Sequence, residues 1–208
     1  MLQKTIIELF SNVWPTLFLF TIIVSSLRIA YLIHNKVKFV LYRELLMLGF
    51  ILYIMFLFYV VTFQDVDWST SNFIPFKEIM RYEVGSRLFI KNILGNMIMF
   101  APYGFFVGYY IRSEKWYVNF ILCLITSFSI EITQMLIGRV FDIDDILLNI
   151  IGGMLGFYIF VYLNKIKNLL PNFFKGPIFL NMCAIIIIIL IILYLFNFIS
   201  IGGILWVM

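Results

Sequence analysis

Between Glu131 and Gly153 the chain reads EITQMLIGRVFDIDDILLNIIGG, and five of its 26 charged residues fall there: Glu131, Arg139, Asp142, Asp144 and Asp145. A carboxylic acid held away from water can pass a proton as general acid or base, and Glu131 is the candidate for that work. Glu131, Asp142 and Asp145 together supply the oxygen donors that a hard divalent cation such as Mg²⁺ or Ca²⁺ prefers, although no dedicated loop spacing accompanies them. Zinc suits the set poorly, because the sole histidine, His34, is expected toward the inner side and the two cysteines, Cys123 and Cys183, are remote from the cluster within apolar stretches. Arg139 adds a planar cation that can hold a carboxylate or a phosphate with two parallel hydrogen bonds.

Structural roles compete with each of these. Asp142 can serve as the N-cap of a following helix, with Asp145 three residues on completing a pair like a capping box. Glu131 and Arg139 can pair simply to fix a helical hairpin. Helical spacing nevertheless groups the polar residues. At 100° per residue Ser127, Glu131, Gln134 and Gly138 lie within roughly 60° of one another. Asp142, Asp145, Asn149, Gly153 and Gly156 share a face of the next helix, with Asp144 pointing elsewhere, and the glycines allow another helix to approach closely. Upstream, Asn92, Asn96, Met99 and Tyr103 share a face, and Pro102 is expected to bend that helix. The binding candidates are therefore Asn92, Asn96, Ser127, Gln134, Arg139, Asp142, Asp145 and Asn149, gathered in one polar pocket.

The elements that must position them are membrane spans. Of the 208 residues 63% are hydrophobic and 12% charged, and the mean hydropathy is +1.05, which excludes an ordinary water-soluble domain. Net charge is +4, but no basic run or motif suggests nucleic acid, so none is expected as a partner; the bilayer is. Six segments are long enough to cross about 30 Å of hydrocarbon: Val13–Ile33, Glu44–Phe63, Asn92–Ile111, Trp116–Ile137, Asp145–Leu163 and Pro177–Ser200. The fold class is all-α, a polytopic transmembrane helical bundle. The first apolar run ends in no small-residue cleavage site and reads as an uncleaved anchor. Eight Lys and Arg residues fall in the loops Asn35–Arg43, Arg112–Lys115 and Asn164–Gly176, against six in the opposite set, which places both termini outside. Arg28 then snorkels toward the cytoplasm. Glu131 lies about 10 Å below the outer surface. The long outer loop 64–91 is expected to carry a short interfacial helix after Pro75, either as an amphipathic cover or as a lid that meets lipid headgroups through Arg81, Arg87 or Lys91.

Several runs together resemble the VanZ-like family of bacterial integral membrane proteins. They are Asn72-Phe-Ile-Pro-Phe76, Asn92-Ile-Leu-Gly-Asn96 leading into Phe100-Ala-Pro-Tyr-Gly104, Glu131-Ile-Thr-Gln134, Arg139, and Asp142-Ile-Asp-Asp145 leading to Asn149 and Gly152-Gly153. The resemblance covers residues 45–165 as a core, leaving 1–44 as an N-terminal span with its cytoplasmic loop and 166–208 as a C-terminal span. It implies a multi-pass protein of the bacterial cell membrane, from a family whose namesake is associated with resistance to the glycopeptide teicoplanin. Three functions are expected to compete. The first is binding or modification of an outer-leaflet amphiphile, such as a lipid-linked cell-wall precursor or a lipoglycopeptide. The second is a membrane-embedded hydrolase or transferase using Glu131 with Asp142 and Asp145. The third is a transporter or structural scaffold, which has weaker support because no internal repeat is evident.

Overall fold

The computed structural model describes the backbone of residues 2–63 and 71–205, with side chains over 13–61 and 71–193. The described residues form seven α helices: α1 (Leu2–His34), α2 (Leu41–Phe63), α3 (Gly95–Ile111), α4 (Trp116–Leu136), α5 (Ile143–Leu169), α6 (Asn172–Lys175) and α7 (Pro177–Leu205). No strand occurs among them, so the fold is all-α. Four stretches, Val13–His34, Leu41–Val61, Trp116–Leu136 and Ile143–Leu169, are long and apolar enough to cross a membrane. Of the other two expected spans, α3 is a shorter apolar helix and α7 has side chains described over only part of its length. α3 has 17 residues but continues directly from a π-helical stretch, Phe89–Leu94, while α7 has 29 residues, with side chains described from Pro177 to Leu193.

The helix expected after Pro75 is present only as a single 3₁₀ turn, Ile79–Arg81. Its length is limited at both ends. Phe76 takes a left-handed φ of 67°, and the extended Tyr82 and the left-handed Gly85 end the turn. The rest of the loop, residues 64–70, lies outside the described residues.

The chain divides into two compact units, Met1–Leu52 with Leu169–Met208, and Tyr53–Asn168. In the first, Arg28 of α1 pairs with Glu44 of α2. Its Nε donates to one Glu44 oxygen at 2.7 Å and its second terminal nitrogen to the other at 3.2 Å, while the guanidinium lies 5.2 Å from the Tyr31 ring centroid. The Asn181 side chain accepts the Tyr42 N–H at 3.1 Å, satisfying a donor in the first turn of α2. Glu44→Gln keeps the shape of this clamp but removes its charge. The expected cost is about 1 kcal/mol, read as a small drop in thermal midpoint in detergent.

In the second unit the glycines determine how helices approach. A Cβ placed on Gly104 would strike the Gly153 backbone, one on Gly152 the Met97 backbone, and one on Gly156 the Ala101 carbonyl. α3 and α5 therefore run in the same direction in backbone contact, as small residues permit inside a membrane, where close van der Waals packing replaces the hydrophobic drive. Around this seam Phe100 and Phe157 are fully buried, and Leu57, Val61 and Ile130 close over Phe100. Tyr53 on α2 donates to the Met99 carbonyl at 2.8 Å, one residue beyond the carbonyl freed by Pro102. These contacts bring the C-terminal ends of α2 and α4 and the N-terminal ends of α3 and α5 to one end of the unit, where the charged cluster sits.

Candidate functional site

On α4 the residues Asn119, Cys123, Ser127 and Glu131 follow one another at intervals of four, which stacks them on one face. All four are at most 1% exposed. That face meets α5. The Asn119 amide donates to the Gly153 carbonyl at 3.3 Å, the Asn149 amide donates to the Ser127 hydroxyl at 3.0 Å, and Glu131 Oε2 accepts the Asp142 N–H at 2.9 Å. A polar seam thus runs about 18 Å along α4. The Oδ1 atoms of Asn119 and Asn149 are buried along it without a hydrogen-bond partner among the described residues.

At the head of the seam Asp142 caps α5. Its Oδ1 accepts the Asp144 N–H at 2.9 Å, the usual N-cap bond to the second helical residue, and also the Asn72 amide at 2.9 Å. The return bond of a capping box would come from Asp145, but here it comes from another helix: the N–H of Asp142 is taken by Glu131. Asn72 completes the arrangement, donating its N–H to the Phe141 carbonyl at 2.8 Å and accepting the Ile143 N–H at 3.0 Å, a one-residue parallel bridge. Burial pushes the Asp142 carboxyl above the usual aspartate range, against the Asp144 and Asn72 hydrogen bonds, and the charges of Asp144 and Glu78 push the same way as burial.

Asp144, which helical spacing left off the shared face, is 1% exposed and holds the segment before α3 instead. Its carboxylate accepts the N–H groups of Phe76 at 2.5 Å, Glu78 at 2.8 Å and Ile79 at 3.2 Å. Phe73 stacks on Phe141 at 5.2 Å between centroids, so the segment Asn72–Ile79 is pinned over the start of α5 by bonds and by a ring contact. Asp145, partly buried, turns toward α3 and accepts the Asn96 amide at 2.5 Å.

Two residues have partners other than those expected. Arg139 makes no ion pair among the described residues. It donates to the Val61 carbonyl near the C-terminal end of α2, where free carbonyls and the negative end of the helix dipole attract a cation. The Gln134 amide reaches the same carbonyl at 3.5 Å. Arg139 is still close enough to act electrostatically on Glu131 and Asp145. Asn92 shares no described contact with Asn96 or the carboxylates and donates to the Tyr82 hydroxyl at 2.9 Å. The π-helical stretch accounts for this, because its wider turn spoils the 100° arithmetic that grouped the two asparagines. The divalent-cation alternative gains no geometric support: among the described residues no three His, Cys, Asp or Glu side chains converge closely enough to hold a metal.

Sequence reasoning missed Asp144, Asn72 and Asn119. Asn119 was within reach, since extending the α4 stripe one turn beyond Cys123 arrives at it. The partners of Asp144 are backbone groups 65 to 68 residues away, which no periodicity reveals.

Four apolar helices of spanning length, together with a buried polar cluster at one end of the family-like core, define a multi-pass helical membrane protein. A sequence model of the VanZ/LLP1 family matches residues 45–166, and the chain belongs to that family. No curated protein and no solved structure matches it.

Proposed function

We propose that the end of the second unit built from Asn96, Glu131, Arg139, Asp142 and Asp145 binds an amphiphile at the outer leaflet. The ligand class is a lipid-linked cell-wall component or a lipid-tailed glycopeptide. The observation that carries this reading is the convergence of carboxyl groups from α4 and α5 with an amide from α3 at one membrane end, close to an arginine only partly occupied by a helix carbonyl. Ionisable groups are costly at membrane depth and are kept there for partners or substrates. Arg139 has further N–H groups for an anionic head, while the partly buried Asp145 suits the hydroxyl and amide donors of a glycosylated head group and Glu131 holds the Asp142 backbone behind it. The neighbouring lipid takes the tail. Membership of the VanZ/LLP1 family is in keeping with the reading.

The test is binding of fluorescently labelled teicoplanin, and separately of a lipid-linked disaccharide precursor, to the purified full chain in nanodiscs. Saturable binding is expected for at least one, weakened about tenfold or more by Arg139→Ala and by Asp145→Asn, equivalent to roughly 1.4 kcal/mol or more. Thr133→Ala, at an exposed position on α4, should leave affinity unchanged. Equal affinity in all variants at equal folded fraction, or no saturable binding of either probe, would overturn the reading.

A further inference from the structure

The segment from Phe73 to Lys91 presents an apolar surface that the described residues leave uncovered. Phe73, Ile74, Phe76 and Leu88 are more than half exposed, and Met80 and Val84 are 82% and 87% exposed. Lys77, Arg81, Arg87 and Lys91 are interleaved with them and also exposed, against only Glu78 and Glu83 among acidic residues of the segment. Exposed apolar patches of this kind mark contact surfaces, and apolar residues mixed with Lys and Arg suit the boundary between headgroups and acyl chains. The position of the segment points to the same surroundings. Asn72 and Asp144 tie it to the first turn of α5, the Tyr82 hydroxyl accepts from Asn92 just before α3, and it therefore sits where these apolar helices leave the hydrocarbon.

The geometry points to a headgroup-level docking surface for anionic phospholipid: Phe73, Met80, Val84 and Leu88 dip into the acyl boundary while Lys77, Arg81 and Lys91 meet the phosphates. The excess of basic over acidic residues selects an anionic lipid over a zwitterionic one. The surface is independent of the amphiphile-binding reading, because none of its residues contributes a side chain to the carboxylate cluster. It also gives the pinned Asn72–Ile79 segment a mechanical setting, held by α5 beneath and by the bilayer around it.

The experiment uses the full chain carrying Cys183→Ser, with Met80→Cys or Val84→Cys labelled by an environment-sensitive fluorophore; Cys123 is buried and is not expected to label. The protein is reconstituted in phosphatidylcholine vesicles with and without phosphatidylglycerol, and quenching by brominated lipid is compared with quenching by aqueous iodide. The expected result is quenching by lipid and shielding from iodide at both positions, increased by phosphatidylglycerol. Lys77→Glu with Arg81→Glu should remove that increase, moving the ratio of lipid to iodide quenching about fivefold or more in the phosphatidylglycerol vesicles. Three results would overturn the proposal: iodide quenching without lipid quenching, lipid quenching indifferent to phosphatidylglycerol, or shielding that follows the protein-to-lipid ratio, which would assign the surface to a second copy of the chain. Binding of the teicoplanin or precursor probe is expected to survive the charge reversal, so the two proposals fail separately.

Discussion

Gly153→Leu is expected to abolish the native packing of the second unit, with a loss of about 3 kcal/mol or more and a large fall in the thermal midpoint measured by circular dichroism in detergent. The added side chain would start against the Cys123 sulfur and the Phe100 ring, while the neighbouring glycine seam already holds α3 and α5 in backbone contact. Close-packed interiors absorb extra methylenes only by moving backbone, and here the backbones have no slack. Moving them would also separate Asn119 from the Gly153 carbonyl and Asn149 from Ser127, breaking the polar seam below Glu131. Gly49→Ala is the control. Its Cβ would meet nothing within 4 Å, and alanine is the better helix former, so no loss or a gain of up to about 1 kcal/mol is expected. If Gly153→Leu melted like the unmodified chain, backbone contact between α3 and α5 would not be what organises this unit.

Periodicity made the α4 stripe legible, and it made the glycines of α5 readable as points of close approach. Ser127 and Glu131, which the arithmetic put on one polar face, are both buried, and Asn149 meets Ser127 there. The hydropathy pattern located the helices for a similarly simple reason: in a bilayer, backbone hydrogen bonds must be satisfied within the segment. What escaped was whatever depended on irregular backbone. The π-helical stretch before α3 turned Asn92 toward Tyr82. Arg139 went to a carbonyl of α2 because the free carbonyls at a helix end compete with carboxylates for a cation, and sequence spacing does not say which helix end will be near. Asp144 was set aside for facing away from a polar stripe, although its partners are a loop's N–H groups rather than another helix.

Asp144→Ala is therefore expected to be the most damaging single change at the polar end. Three backbone N–H groups would lose their acceptor, and orphaned donors cost about 1–3 kcal/mol each where water cannot reach them. Because the three share one carboxylate the losses are not additive, and a total of about 3–5 kcal/mol is the reasonable scale. The loss should be concentrated in the segment Asn72–Arg81. Limited trypsin digestion in detergent is expected to cut after Lys77 and Arg81 at least tenfold faster in Asp144→Ala than in the unmodified chain. Asp144→Asn, which keeps an acceptor oxygen, should fall between them. Phe76→Gly separates strain from anchorage. It relieves a left-handed φ of 67° at a half-exposed side chain, so it should cost little or stabilise by up to about 1 kcal/mol while the Asp144 bond to residue 76 persists. Cleavage after Lys77 that is unchanged by Asp144→Ala would mean that the Phe73–Phe141 stack and the Asn72 bridge hold the segment unaided. Accelerated cleavage, with probe binding weakened in parallel, would make Asp144 the residue through which the loop and the carboxylate cluster act as one site.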